Sequence, residues 1–387
     1  MRSLLITYDF PPIVSGIATV FYNIWKSLPA DQCLVLAPRV RGSLEFDRVN
    51  GIQVVRKKYS LETDIIKKFL SAILLFVHTM RITRKEKIDL LICGQPMIIG
   101  AVGLIFRKLF NMPYHVWVYG GETIKFKDSK LFLKMLKCIL DNADRVITNS
   151  SYTDEEYSRF GIPDEKLLKV TPGVDADQFR PDMDVRDLVK KHDLENRRVI
   201  MTVGRLVPRK GNDTVIRSLK KVVEKIPDIR YVIIGNGPEK KRLQMLAHEL
   251  HLEDHIVFAG FVSDEDLPKY YNACDLYVLP NRETDGFEAV EGFGISFIEA
   301  GACGKPVIGG RSGGTSDSVL NGETGVLIDP LDTELLADQI IQILSDRELA
   351  GSYGMKGRER VMKDFRWEMI SKTVGGLLSD YGKVYVN

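Results

Sequence analysis

At 387 residues the chain exceeds what one hydrophobic core usually covers, so two domains are expected. Its 54 Lys and Arg stand against 52 Asp and Glu, a near-neutral balance that argues against a dedicated nucleic-acid binder and favours a small, local anionic ligand. The cysteines, Cys33, Cys93, Cys138, Cys274 and Cys303, include no Cys-x-x-Cys pair, which indicates neither a disulfide framework nor a zinc site and suits a reducing cytoplasm.

The first segment, "MRSLLITYDFPP", has too short an apolar run for a signal peptide and reads as a buried strand. Short β-branched runs follow in "QCLVLA", "DLLICG", "YHVWVY" and "RVITNS", separated by helix-length segments, the rhythm of parallel βαβ units. The longest apolar run, Phe69 to Val77, is well short of the roughly 20 residues a spanning helix needs. Lys67 and Lys68 precede it, Arg81 and Arg84 follow, and a second mixed segment, "KLFLKMLKCIL", starts at Lys130. These segments are either amphipathic helices lying on an anionic bilayer or covering helices with solvated ends.

A stretch rich in Pro, Gly and Asp, "VTPGVDADQFRPDMD", has the composition of an interdomain connection. The strand rhythm then restarts with "RVIMTVG", "RYVIIG", "HIVFAG", "DLYVLP" and "KPVIGG". The prediction is therefore an α/β protein of two doubly wound domains facing a central cleft, with ligands at the carboxyl ends of the strands. Residues 1–178 form the first domain, completed by a C-terminal helix over 367–387, and residues 179–366 the second.

Candidate site residues cluster in the second half. Arg205 and Lys210 lie past the strand "RVIMTV", just before a helix starting near Asp213; two accessible cations there suit a phosphate, although an ordinary basic loop has the same pattern. In "IIGNGPE", Gly235 and Gly237 allow either close approach to a ligand or a tight turn, and Lys240 replaces the third glycine of a dinucleotide fingerprint, which disfavours a nicotinamide dehydrogenase. In "VEGFGISFIEAGACG" the amides of Phe293, Gly294 and Ile295 precede a helix and can face phosphate oxygens. Glu299 sits about a turn inside that helix, placed for ribose hydroxyls, while Glu291 before the glycines is free to meet another part of the ligand; a helix cap and a solvated carboxylate are the plainer alternatives.

Taken together, "PPIVSGIA", "PGVDADQF", "VGRLVPRKG", "IIGNGPE", "GFVSDEDLPKYYNACDLYVLP", "EGFGISFIEAGACGKPVI" and "FRWEMI" resemble the retaining glycosyltransferases of the GT-B fold, group 1, over nearly the whole chain. The resemblance implies two Rossmann-like domains, an acceptor-side N-terminal one and a nucleotide-sugar-binding C-terminal one. It implies Arg205 and Lys210 on the donor diphosphate, Glu291 on the transferred sugar, Glu299 on the ribose, Gly16 near the diphosphate and the backbone at Phe261 and Val262 against the base. The reaction implied is transfer of a hexosyl unit to an acceptor hydroxyl with retention, on a glycan or lipid-linked acceptor, with no cofactor and no metal, in the cytoplasm or at the inner membrane face. GDP-mannose is the preferred donor, because the approach to Glu291 resembles lipid-directed mannosyltransferases, though UDP-sugar relatives share most motifs.

Two departures stand out. Where many relatives carry a His-Gly turn this chain has Tyr119, Gly120, Gly121 and Glu122, so acid–base work there is doubtful and Tyr119 and Gly120 are carried as sugar-binding. The approach "NRETDGFEAVEG" is longer than the compact version, with charges that select the sugar or order on binding. Front-face attack is favoured, with Glu291 as a nucleophile left open. A silent nucleotide-sugar binder and an epimerase on the same fold are the rival functions. His248, His251 and His255 crowd one segment without metal-ligand spacing.

Overall fold

The computed structural model describes residues 1–59, 65–284 and 290–384, the side chains of 65–69 and 379–384 excepted. The Lys67, Lys68 and Phe69 side chains and residues 285–289 of the charged approach to Glu291, Asp285 and Glu288 among them, thus lie outside the described residues.

The chain divides into two compact units, one of Met1–Pro172 with Trp367–Asn387, the other of Gly173–Arg366. The break comes at Pro172, a few residues before the position read from the sequence, for a packing reason. Val174 donates its N–H to Phe365 O (2.7 Å), and Ala176 and Phe179 are buried in the second unit's core.

In the first unit β1 (Ser3–Ile6), β2 (Cys33–Pro38), β3 (Val54–Lys57), β4 (Leu90–Cys93), β5 (Tyr114–Trp117), β6 (Arg145–Thr148) and β7 (Leu167–Lys169) form one sheet in the order β3-β2-β1-β4-β5-β6-β7. Every pairing is parallel. β1 and β4 are buried at every position, which is why they read as unbroken apolar runs rather than alternating ones. β3 is only half-buried and ends in Arg56 and Lys57, and β7 has three residues; neither carries a run that stands out in the sequence.

The second unit contains β8 (Arg198–Val203), β9 (Ile229–Ile234), β10 (Ile256–Gly260), β11 (Leu276–Leu279), β12 (Val307–Gly310) and β13 (Gly325–Ile328), ordered β10-β9-β8-β11-β12-β13 and again parallel. Successive residues of β8 enter opposite cores: Val199 and Met201 pack with Tyr277 and Phe297, whereas Ile200 packs with Tyr231 and Val278. Burial on both faces explains why this sheet, too, is mostly apolar, with Arg198, Thr202 and Arg230 as exceptions. Both sheets have the doubly wound strand order, whose reversal lies between β1 and β4 in one unit and between β8 and β11 in the other.

The helix Trp367–Val384 returns to the first unit, where it packs against the helix Gly16–Lys26. Among the described residues no helix is long and apolar enough to cross a membrane.

Candidate active site

In a doubly wound sheet, loops leaving neighbouring strands at the reversal point run to opposite faces and open a crevice between them. In the second unit those are the loops after β8 and β11, and Arg205, Lys210 and Glu291, singled out in the sequence, sit on them. The first runs from Gly204 to Gly211 and carries Arg205, Arg209 and Lys210. Arg205 is exposed, as expected. Lys210 is not: it is 8% exposed, because its stem lies across Gly204 and its ammonium turns inward to Glu291.

Glu291, expected to meet another part of the ligand, is held by two cations. Its Oε2 accepts from Lys210 Nζ at 2.7 Å and from Arg209 Nη1. Burial on its own would raise this carboxyl, but the Lys210 ammonium and Arg209 guanidinium overcome that and bring it down to about 2. Its backbone is fixed as well, since Gly314 donates its N–H to Glu291 O at 2.9 Å. A β-carbon on Gly313, at φ +56°, would lie 2.2 Å from that same oxygen. The result is an anchored carboxylate beside two cations at the sheet's reversal point.

Gly294, at φ +88°, caps the helix Ile295–Ala302; a β-carbon there would meet the Phe297 ring at 2.6 Å. The turn brings the amides of Phe293, Gly294 and Ile295 to the helix start, with Phe293 itself buried. Glu299 follows one turn later and is only partly exposed. Burial pushes its carboxyl up to about 7 against the opposing hydrogen bond from Tyr271 Oη (2.7 Å). Tyr271 is fully buried and continues into Tyr277 and Phe297 through ring contacts of 5.6 Å and 5.5 Å. Glu291 and Glu299, two carboxylates of one short stretch, thus have opposite protonation tendencies.

Gly235 and Gly237 are accounted for by backbone packing. Gly235 has φ +125° and a β-carbon on it would be 2.0 Å from Gly204 O; one on Gly237 would be 2.3 Å from Leu206 O. The loop after β9 thus lies directly on the loop after β8 and props Arg205. After β10, Phe261 is 68% exposed and Val262 is half-buried against the core.

Gly16, Tyr119 and Gly120 lie in the first unit. Gly16 is the exposed first residue of its helix, capped by Ser15, whose hydroxyl accepts from Ala18 N (3.0 Å). The Tyr119 hydroxyl donates to Gly94 O (2.7 Å), so its one proton is committed within the protein. Gly120 adopts φ +87° on a loop tied by Glu156, which accepts the Gly121 N–H at 2.8 Å. His115 is a core residue of β5, buried and lowered by that burial to about 4. His248 pairs with Glu253 and His255 bonds Ile229 O; among the described residues no three His, Cys, Asp or Glu gather as a metal site.

Sequence reasoning missed Arg209 and Tyr271. Arg209 adjoins Lys210 in "VPRKG", a signal that was present; Tyr271 sits in "KYYNACD", where nothing distinguishes it from the neighbouring Tyr270.

The chain matches the family model described as glycosyl transferases group 1 over residues 184–360 and that of glycosyltransferase family 4 over residues 14–178. It is 31% identical to the GDP-mannose-dependent alpha-(1-6)-phosphatidylinositol monomannoside mannosyltransferase of Mycolicibacterium smegmatis, covering 97% of this chain and 98% of that one. The protein of the same description from Mycobacterium tuberculosis is 32% identical with the same coverage. Among solved structures, sucrose-phosphate synthase from Thermosynechococcus elongatus superposes with a TM-score of 0.82 at 25% identity, over 99% of this chain and 100% of that one. Anabaena HepE in complex with UDP and glucose superposes with a TM-score of 0.82 at 22% identity, over 98% and 99%. Doubly wound order in both sheets, charged loops at the reversal point and relatives matched from end to end lead to one conclusion: the chain belongs to the group 1 glycosyltransferases of the GT-B fold.

Proposed function

We propose that the protein transfers a mannosyl unit from GDP-mannose to a hydroxyl of a lipid-linked or surface-glycan acceptor, with retention at the anomeric carbon and without a resident metal. The observation that carries this reading is the Arg209–Lys210–Glu291 cluster at the reversal point, with Arg205 exposed on the same loop. Arg205 and Lys210 offset the charge that develops on the leaving diphosphate, the amides of Phe293, Gly294 and Ile295 add backbone donors, and Glu299 takes the ribose hydroxyls. Glu291 orients Lys210 and accepts from the sugar hydroxyls; a carboxylate held near 2 by two cations is a weak nucleophile, which favours front-face attack over a covalent intermediate. Gly235, Phe261 and Val262 shape the base side, and Gly16, Tyr119 and Gly120 belong to the first unit's share of sugar and acceptor binding. The relatives' GDP-mannose dependence and phosphatidylinositol monomannoside acceptor support the donor and acceptor classes. The test is a panel of GDP, UDP and ADP sugars, read as thermal shift and as released nucleoside diphosphate with and without acceptor. Stabilisation by UDP compounds and not GDP compounds overturns the mannose assignment. Binding without release in the presence of every acceptor class favours a silent binder.

A peripheral membrane contact at the inner face accompanies the lipid acceptor in this proposal. The helices Ile65–Glu86, Ile98–Phe110 and Lys130–Asn142 are neighbours in the first unit, and each buries one face yet leaves large apolar side chains outside: Leu70 and Ile73, Leu109 and Phe110, Leu131 and Phe132. Exposed Lys108, Lys130 and Lys134 accompany them, a combination suited to an anionic lipid surface at about 1 kcal/mol per cation. Co-sedimentation with anionic vesicles that exceeds that with neutral vesicles at low salt, and falls as salt rises, is the expected result; equal sedimentation removes the membrane contact.

A further inference from the structure

The two residues that follow Pro280 in the loop after β11 reach in opposite directions. Asn281 is fully buried, donates from Nδ2 to Thr315 Oγ1 (2.7 Å) and Ser312 O (3.2 Å), and accepts the Gly310 N–H (3.3 Å). It thereby fixes the loop after β12, the one whose Gly314 anchors the Glu291 backbone. Arg282 faces the loop after β8. Its N–H donates to Arg209 O at 2.8 Å, and its guanidinium donates to Thr214 Oγ1 (3.1 Å) and pairs with Asp213 (2.9 Å) in the first turn of the helix Asn212–Lys225. Asp213 takes Arg242 as a second partner at 3.3 Å. The two loops are pressed so close that a β-carbon on Gly211 would lie 2.1 Å from Pro280 O.

We propose that Arg282, acting with Asp213, is a positioning residue for donor binding: it sets Arg209 and Lys210 at the place from which they grip a diphosphate beside Glu291. The residue itself does not need to touch the donor, since its guanidinium is already engaged by Asp213 and Thr214 and its side chain is 16% exposed. This inference rests on the reading that Lys210 and its neighbours bind the donor diphosphate. The charges of the brace offer a way to tell geometry from simple electrostatics. Arg282 contributes a positive and Asp213 a negative charge near the same site, so loss of each by charge alone moves anion affinity in opposite directions. Loss of a shared brace moves both the same way.

The experiment is calorimetric titration of the full chain with GDP and with GMP, UDP and UMP being run in parallel, on wild type, Lys210→Ala, Arg282→Met and Asp213→Ala. Both brace variants are expected to lose about tenfold or more in diphosphate affinity, the scale of a displaced binding group, while monophosphate affinity stays within about twofold. A merely structural role lowers both affinities together. If Arg282→Met melts below the assay temperature, Arg282→Lys, which keeps the charge and loses the fork, takes its place and is expected to show the same selective loss in smaller measure. Wild-type diphosphate affinity in both brace variants, or affinities that move in opposite directions, overturns the positioning role while leaving the functional reading intact. A wild type that does not prefer diphosphate over monophosphate, or a Lys210→Ala variant that keeps the preference, overturns the functional reading instead.

Discussion

Glu299 should make donor binding depend on pH within the physiological range. Burial raises its carboxyl from 4.5 to about 7, so below about pH 7 the ligand-free protein favours the neutral form, and the stability that this neutral form provides is present below about pH 4.5 and lost as pH rises through about 7. A ribose whose two hydroxyls both donate needs the ionised form. At about pH 6 roughly one molecule in ten is ionised, and at about pH 8 roughly nine in ten, so donor affinity should rise about tenfold across that interval and binding should release a proton. The ligand for this assay is an intact GDP-sugar, because both of its phosphates are diesters and do not titrate there, whereas free GDP would add its own ionisation. Calorimetry in two buffers of different ionisation heat gives affinity and proton release together. Glu299→Gln should bind the same ligand more weakly at about pH 8, with a flat pH dependence, and should be the more thermostable protein without ligand at that pH, by up to about 3 kcal/mol and less where water reaches the carboxyl. A flat wild-type profile, or an equal slope in Glu299→Gln, refutes the assignment of Glu299 to the ribose.

Arg205→Ala should leave the melting temperature unchanged and lower turnover by about a hundredfold, the scale of one lost transition-state donor; near-normal turnover removes Arg205 from the site. Lys210→Ala should lower turnover and stability together, because it breaks a buried pair with Glu291, and since Glu291 falls from 4.5 unfolded to about 2 folded, its stability deficit should be full above about pH 4.5 and close as pH falls through about 2. A deficit that persists at the acid end refutes the pairing. Gly235→Ala should destabilise the second unit in denaturant titration, as its β-carbon would be 2.0 Å from Gly204 O at φ +125°; an unchanged midpoint contradicts the loop-on-loop packing. Tyr119→Phe should cost about 1 kcal/mol through the lost bond to Gly94 O and leave the pH profile of transfer unchanged, whereas a shifted profile would make the phenol an acid–base group.

How much of this was legible depended on how locally each feature is determined. Fully buried parallel strands such as β1, β4 and β11 are apolar at consecutive positions and identify themselves, whereas β3 is an edge strand with charged residues and β13 opens on Gly325. Arg205, Lys210, Glu291 and Glu299 could be picked out because each lies within a few residues of a glycine turn at a strand or helix end. Their pairings could not. Lys210 and Glu291 are separated by 81 residues, and Asp213 and Arg282 by 69, so only the sheet order brings them together. That is why Lys210 reads as exposed from its loop and is buried in the fold, and why Gly235, open in the sequence to a ligand or a tight turn, takes a conformation packed on Gly204.

The return of the helix Trp367–Val384 to the first unit has a consequence for biogenesis. The second unit is one unbroken segment, Gly173–Arg366, inserted between the two pieces of the first. In vectorial synthesis every residue of the inserted unit is made before those beyond Arg366 that cover the helix Gly16–Lys26 and Leu28, beside which Gly375 packs. Of the two units, the one whose residues come first in the sequence is therefore also the one whose residues come last. A chain truncated just after Arg366 and released from the ribosome should carry a protease-resistant second unit and a first unit that chaperones still recognise by its uncovered apolar helix face.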